Sequence, residues 1–230
     1  MSLLDVAQSA PPRYKYLPPF FSSAGRDALD LGEAAGVFLD DWQQDVVEGL
    51  LAEDEHGKWA ATEAGIICTR QNGKDEILLV RELFGLYLDK GCRLLTHTAH
   101  RFDTCLDHFR RMRDVIEGCP DLLAEVKDNG RGVGGPSGIK DSNGAESIEL
   151  RDGTRQNFKA RGKGSGRGFS GDVVVLNEAF WLLELGSLVP SMSARPNPQL
   201  ILASSAPLPR PESDRLRSLI RRGRALAETA

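Results

Sequence analysis

Arg70, Gln71, Asn72, Gly73 and Lys74 are the residues best placed by type and spacing to do chemistry. This polar run follows the apolar segment Gly65-Ile66-Ile67-Cys68 and Thr69, and it precedes apolar residues at helical spacing, Ile77, Val80, Leu83, Phe84 and Tyr87. A loop between a strand and a helix gathers backbone N–H groups at the positive end of the helix dipole. It makes a concave anion site, and Lys74 can carry its ammonium to the β- and γ-phosphates of a nucleotide. The usual phosphate-loop pattern is met in part. Cys68 stands where a first glycine is expected, and Asp75 stands where a serine or threonine would ligate Mg2+. Taken alone, the segment also fits an ordinary strand-to-helix turn with an exposed lysine.

A second segment answers the first. Val173-Val174-Val175-Leu176 is a fully apolar strand pattern that runs into Asn177-Glu178-Ala179. In this arrangement the first acid after the strand holds Mg2+ and the following glutamate orients the attacking water. Here Asn177 takes the first place, and an amide oxygen can coordinate Mg2+ without adding charge. Asn177 and Asp75 are therefore the candidate metal set and Glu178 the candidate catalytic carboxylate, against the plainer reading of a polar pair at a strand end.

Gly166, Gly168 and Gly171 spell a formal G-x-G-x-x-G, but that fingerprint must leave a strand and open a helix, whereas this one runs into the strand at Val173. From Arg151 to Gly168 the chain carries six Lys or Arg against one acid. Such a loop can present Arg167 to a phosphate, as an arginine finger or a DNA-backbone contact, or can simply be a solvated basic loop. His97, His100, Cys105, His108 and Cys119 match no closed tetrahedral zinc pattern. Cys105 falls on an apolar helical stripe, while His97 and His100 are placed at a strand's C-terminal end, lining a crevice or capping the next helix.

The elements that must position these groups alternate. A helix at Leu39–Leu51 precedes a strand ending at Cys68, the helix after Lys74, a strand over Gly91–Thr96, and a helix striped by Phe102, Cys105, Leu106, Phe109, Met112 and Ile116. Asp128–Glu146, glycine-rich and nearly free of apolar residues, reads as a mobile loop, and Ser147–Leu150 with Arg155–Ala160 reads as a β-hairpin across the turn Arg151-Asp152-Gly153-Thr154. Gln199–Ala203 is another buried strand, and Arg215, Arg217, Arg221, Arg222 and Arg224 belong to one terminal helix. This is the α/β class, with a mainly parallel sheet flanked by helices and a β-hairpin insertion. Residues 1–34, with Pro11, Pro12, Pro18 and Pro19 among aromatics, are expected as an extended arm, and 35–230 as one domain. The 230 residues, 40% hydrophobic and 27% charged, suffice for one substantial core. The net charge of −4 excludes a polycationic nucleic-acid coat. Apolar runs are too short to cross a bilayer, the N-terminus lacks a secretory pattern, and the four cysteines are expected as thiols.

Arg70-Gln71-Asn72-Gly73-Lys74, Thr98-Ala99-His100, Arg167-Gly168-Phe169-Ser170-Gly171-Asp172 and Asn177-Glu178-Ala179 together resemble the ATPase domain of a tailed-bacteriophage terminase large subunit, over about residues 35 to 206. The resemblance implies a P-loop motor fold that couples ATP hydrolysis to translocation of double-stranded DNA into a procapsid, with ATP and Mg2+. It implies nucleotide contacts from Gln43, Thr69, Arg70, Gln71, Asn72, Gly73, Lys74 and Asp75, catalysis by Glu178 with Arg70 and a trans-acting Arg167, with Arg161 the alternative finger, and coupling through Ser204 and Ser205. The implied partners are a portal protein, a terminase small subunit and further copies in a ring, in the cytoplasm of an infected bacterium and at the procapsid portal vertex. Nothing after Ala206 resembles the family's nuclease domain. Because Asp75 and Asn177 replace the expected metal ligands, the alternative is a nucleotide- or DNA-binding domain of the packaging complex that does not hydrolyse ATP.

Overall fold

Val173–Leu176 and Leu200–Ala203 carry no polar alternation, and each is buried on both faces, as strands at the centre of a parallel sheet must be. The computed structural model describes residues 12–128, 136–142, 144–161, 170–181, 192–205 and 213–229. In chain order it contains β1 (Ser22–Ser23), α1 (Gly25–Ala34), α2 (Asp41–Leu50), β2 (Ala52–Glu53), β3 (Glu63–Cys68), α3 (Lys74–Tyr87), β4 (Leu94–Ala99), α4 (Phe102–Gly118) and α5 (Pro120–Glu125). There follow β5 (Ile139–Lys140), β6 (Ser147–Glu149), β7 (Arg155–Ala160), β8 (Val173–Leu176), a 3-10 turn (Ala179–Trp181), β9 (Gln199–Ser205) and α6 (Asp214–Thr229).

Among the described residues the main sheet has seven strands in the order β3-β9-β8-β4-β7-β6-β5. Pairing is parallel from β3 through β7 and antiparallel from β7 to β5. Five parallel strands therefore end at one edge, which is where ligand sites of α/β sheets open. Val173, Val175, Ile201 and Ala203 face the larger core beneath α1 to α4, whereas Val174, Leu176, Leu200 and Leu202 face a smaller core with Leu216 of α6. The arginine-rich segment is one helix, as expected. Its Leu219 lies so close to β3 that a Cβ on Gly65 would stand 2.7 Å from Cδ2, and its Arg215 and Arg222 both pair with Glu63.

Several expectations are corrected. Residues 25–34 are helical, not extended, because Ala28, Leu29 and Gly32 bury against the neighbouring helices. α3 is not amphipathic: every residue from Ile77 to Leu86 is buried, since α1 and α2 cover the side turned away from the sheet. β4 runs to Ala99, which puts His97 inside the strand and not at its end. Within the expected mobile loop Ile139–Lys140 forms an edge strand on β6, while 129–135 and 143 lie outside the described residues. The hairpin is continuous with the main sheet, since β7 also pairs with β4 along its whole length.

Candidate functional site

Tracing the strand ends along the parallel edge assembles the site. β3 delivers Thr69 and the loop Arg70-Gln71-Asn72-Gly73, and β8 delivers Asn177 and Glu178. β4 delivers His100 and Arg101, β7 delivers Arg161, and β9 ends in Ser204 and Ser205. Gln71 and Glu178, at φ 58° and 53°, are the only non-glycine residues with positive φ among the described residues, and both are in this site. That conformation costs about 1–3 kcal/mol and persists where the surroundings enforce it. Gly73, at φ 74°, caps the start of α3 in the left-handed region.

The loop is braced from below. Gln43 of α2 accepts the Asp40 N–H at Oε1 (2.7 Å) and donates Nε2 to the Gly73 carbonyl (3.0 Å), so both ends of its amide are used within the chain. A Cβ on Gly73 would stand 2.3 Å from that nitrogen. Thr69, Arg70, Gln71 and Asn72 are exposed at the edge, and Arg70 has no ion-pair partner among the described residues. Lys74 is mostly covered, and its Nζ donates to Asp75 Oδ1 at 3.1 Å and to Oδ2 at 3.0 Å. Glu76 at the next position takes a two-pronged contact from Arg111 of α4.

The two residues that depart from the phosphate-loop pattern touch each other. Asn177 Nδ2 donates to Asp75 Oδ1 at 2.8 Å, and Asn177 Oδ1 accepts the N–H of Glu178 at 2.9 Å. Burial pushes the Asp75 carboxyl up, but the charge and hydrogen bonds of Lys74, the Asn177 bond and the charge of His108 outweigh it and hold the group below its ordinary value. Lys74 and Asn177 thus share one carboxylate oxygen although their strands are not neighbours: β9 lies between β3 and β8. The start of α3 spans the end of β9 to make the contact.

Glu178 is positioned by backbone on both sides. Its Oε2 accepts the Arg101 N–H at 3.3 Å, while Arg161 donates to the carbonyls of Asn177 and Glu178 and to the carbonyl and hydroxyl of Thr98. Arg161 is therefore spent inside its own chain, and burial lowers its guanidinium to about 10. Arg167 lies outside the described residues. So does Ala206 of the expected coupling segment, whose Ser204 hydroxyl is buried with no partner among the described residues. Asp172, from the stretch around Arg167, caps the opposite end of the sheet by accepting the N–H groups of Arg93 and Leu94.

A buried polar cluster lies behind the site. Glu82 of α3 meets His97 Nδ1 at 2.8 Å with one oxygen and His108 Nε2 at 2.6 Å with the other, and the two imidazoles stack at 3.9 Å. Burial pushes the glutamate up, yet the two imidazoles hold it well below the usual carboxylate range. Burial and the neighbouring His108 charge lower His97, while for His108 the Glu82 charge overcomes burial and raises it. The three groups are close enough to suggest a metal site. However, the rings are within 15° of parallel, so an ion in the plane of one is far out of the plane of the other. One carboxylate shared by two stacked imidazoles, one raised and one lowered, fits better. His97 consequently does not line the crevice, and His100 stacks on Trp181 (5.3 Å) beside it. Sequence reasoning missed Glu82, which stands where the local pattern predicts a solvated charge, and the signal for it was two histidines at otherwise apolar positions; Arg161, the alternative to Arg167 as the finger, is instead held on the carbonyls of Thr98, Asn177 and Glu178 of its own chain.

No helix is long and apolar enough to cross a membrane among the described residues. No family model and no curated protein matches the sequence. Solved structures do. The HK97 bacteriophage large terminase superposes with a TM-score of 0.63 at 18% identity, covering 80% of this chain and 38% of that one. The large terminase ATPase domain of Thermus phage P74-26 gives 0.53 at 17% identity over 77% of this chain and 69% of that one. An arginine-to-alanine mutant of the same domain gives 0.54 at 15% identity, over 78% and 70%. The matched region is thus little more than a third of the HK97 protein. The parallel sheet, the loop at Lys74 and these superpositions agree: the chain has the α/β fold of phage large-terminase ATPase domains.

Proposed function

We propose that this chain is an ATP-hydrolysing motor domain of a phage terminase large subunit, coupling hydrolysis to the movement of double-stranded DNA into a procapsid. The observation that carries the reading is the convergence of Lys74 and Asp75 with Asn177 and Glu178 at the open edge of a terminase-type sheet. The loop N–H groups from Thr69 to Gly73 and the start of α3 receive the phosphates, and Lys74 exchanges its Asp75 partner for their oxygens. Arg70, exposed at the same edge, adds positive charge there. Glu178, pinned by the Arg101 N–H and by Arg161, orients the attacking water. Arg167 of a neighbouring copy offsets charge in the transition state, and Ser204 and Ser205, at the end of the strand between β3 and β8, carry the change toward the DNA.

The donor set fits Mg2+, a hard cation that takes one or two carboxylates together with substrate phosphates. Asp75 offers such an oxygen, and the ion would supply charge neutralisation between the β- and γ-phosphates. The proposed partners are duplex DNA, held through its backbone, a portal protein, a terminase small subunit and further copies in a ring. The test measures binding and turnover separately. Lys74→Ala is expected to weaken affinity for a fluorescent ATP analogue by about 100-fold, and Glu178→Gln to keep that affinity while phosphate release falls by about 100-fold or more. Unchanged binding in Lys74→Ala removes the loop assignment. Wild-type protein that binds ATP and releases no phosphate, alone or with DNA, favours the hydrolysis-deficient alternative.

A further inference from the structure

We infer that the metal half of this site is built with its polarity inverted, so that Asp75 on the helix is the anionic metal ligand and Asn177 on the strand end is a positioning residue. The inference rests on the nucleotide reading above. In an ordinary phosphate loop the helix contributes a neutral hydroxyl and the strand end contributes the carboxylate. Here the helix carries the carboxylate and the strand end the neutral group, and the two are hydrogen-bonded at 2.8 Å. The direction of the amide decides the roles. Asn177 is buried, spends Nδ2 on Asp75 and has its Oδ1 occupied by the Glu178 N–H, so its oxygen is not turned outward for an ion. Reversing the amide would set an oxygen against a carboxylate oxygen and an NH2 group against an N–H, losing both bonds. Asp75, half exposed, is the group that faces the phosphate position, with its charge balanced by Lys74.

This arrangement also makes a latch. When Lys74 leaves for the phosphates, Asp75 is left as an uncompensated carboxylate beside another anion, and a divalent cation restores the balance. Nucleotide binding is therefore strongly metal-dependent, and the dependence resides in Asp75. The sum of charges matters more than which element bears them, so exchanging the two side chain types should preserve function where a single loss does not.

The experiment measures the affinity of a fluorescent ATP analogue in EDTA and in Mn2+. It also measures Mn2+ binding to the protein–analogue complex by electron paramagnetic resonance, with thermal melts confirming that each variant is folded. Wild type is expected to tighten by about 100-fold on adding Mn2+. Asp75→Asn should bind the analogue more tightly than wild type in EDTA, because the repulsion is gone, and should gain less than about threefold from Mn2+. Asn177→Ala should lose about tenfold in Mn2+ affinity while keeping a metal-dependent gain, as a positioning residue does. The double exchange Asp75→Asn with Asn177→Asp should recover most of the wild-type gain. A hundredfold Mn2+ gain persisting in Asp75→Asn overturns the inference and leaves the nucleotide reading intact, as does a double exchange no better than Asp75→Asn. If no protein, wild type included, binds the analogue with or without Mn2+, both readings fall.

Discussion

Substituting Glu82 by Gln tests whether the cluster behind the site stores charge. Glu82 is fully buried and each carboxylate oxygen contacts one imidazole, so a neutral amide of the same shape removes the negative charge that raises His108. Breaking a buried pair this way costs about 3–5 kcal/mol when a partner is stranded; because the amide can still bond both rings once they are neutral, about 3 kcal/mol is expected near pH 6.5. For a chain of this length that lowers the melting temperature by about 6–12 °C. The pH dependence is the sharper measurement. His108 is raised in the folded protein, so its contribution is full below the unfolded value of about 6.5 and is lost as pH rises through the folded value. His97 is lowered, so its contribution is full above about 6.5 and is lost as pH falls. Together they place a stability maximum near pH 6.5 in wild type, with Glu82 contributing throughout this range because its depressed pKa costs stability only in acid. In Glu82→Gln both imidazoles resist protonation, so stability should rise with pH through 6.5 and flatten, and the gap to wild type should narrow above neutrality. Urea unfolding from pH 5.5 to 8.5 reads both curves. Parallel curves, or a melting temperature lowered by less than about 1 °C, would refute the assignment of charge to this cluster.

Other outcomes follow from the same geometry. Arg161→Ala should leave the carbonyls of Asn177, Glu178 and Thr98 without their donor, costing about 2–3 kcal/mol in stability and lowering phosphate release more than nucleotide affinity, measured by melts and single-turnover kinetics. Gly73→Ala forces a left-handed residue with a Cβ against Gln43 Nε2. Weaker ATP-analogue binding and a loss of about 1–2 kcal/mol are expected, and partial recovery in a Gly73→Ala, Gln43→Ala double variant would identify the clash.

The alternation of strands and helices, the buried character of β8 and β9 and the loop ahead of Lys74 were legible in the sequence, because they rest on local periodicity and on residue types that suit one backbone conformation. Local pattern could not count layers. α3 reads as amphipathic until α1 and α2 cover its second face, and that covering turns Glu82 from a solvated charge into the centre of a buried network. Likewise the order of strands is invisible along the chain, so the placing of β9 between β3 and β8 and the bridging contact of Asp75 with Asn177 could not be derived from spacing. Residue types at Asp75 and Asn177 showed that the expected metal ligands were missing. Only the folded chain brought those two side chains within hydrogen-bond distance and fixed which way the amide turns, because that direction is set by the Glu178 N–H and the Asp75 carboxylate, groups that meet through tertiary packing alone.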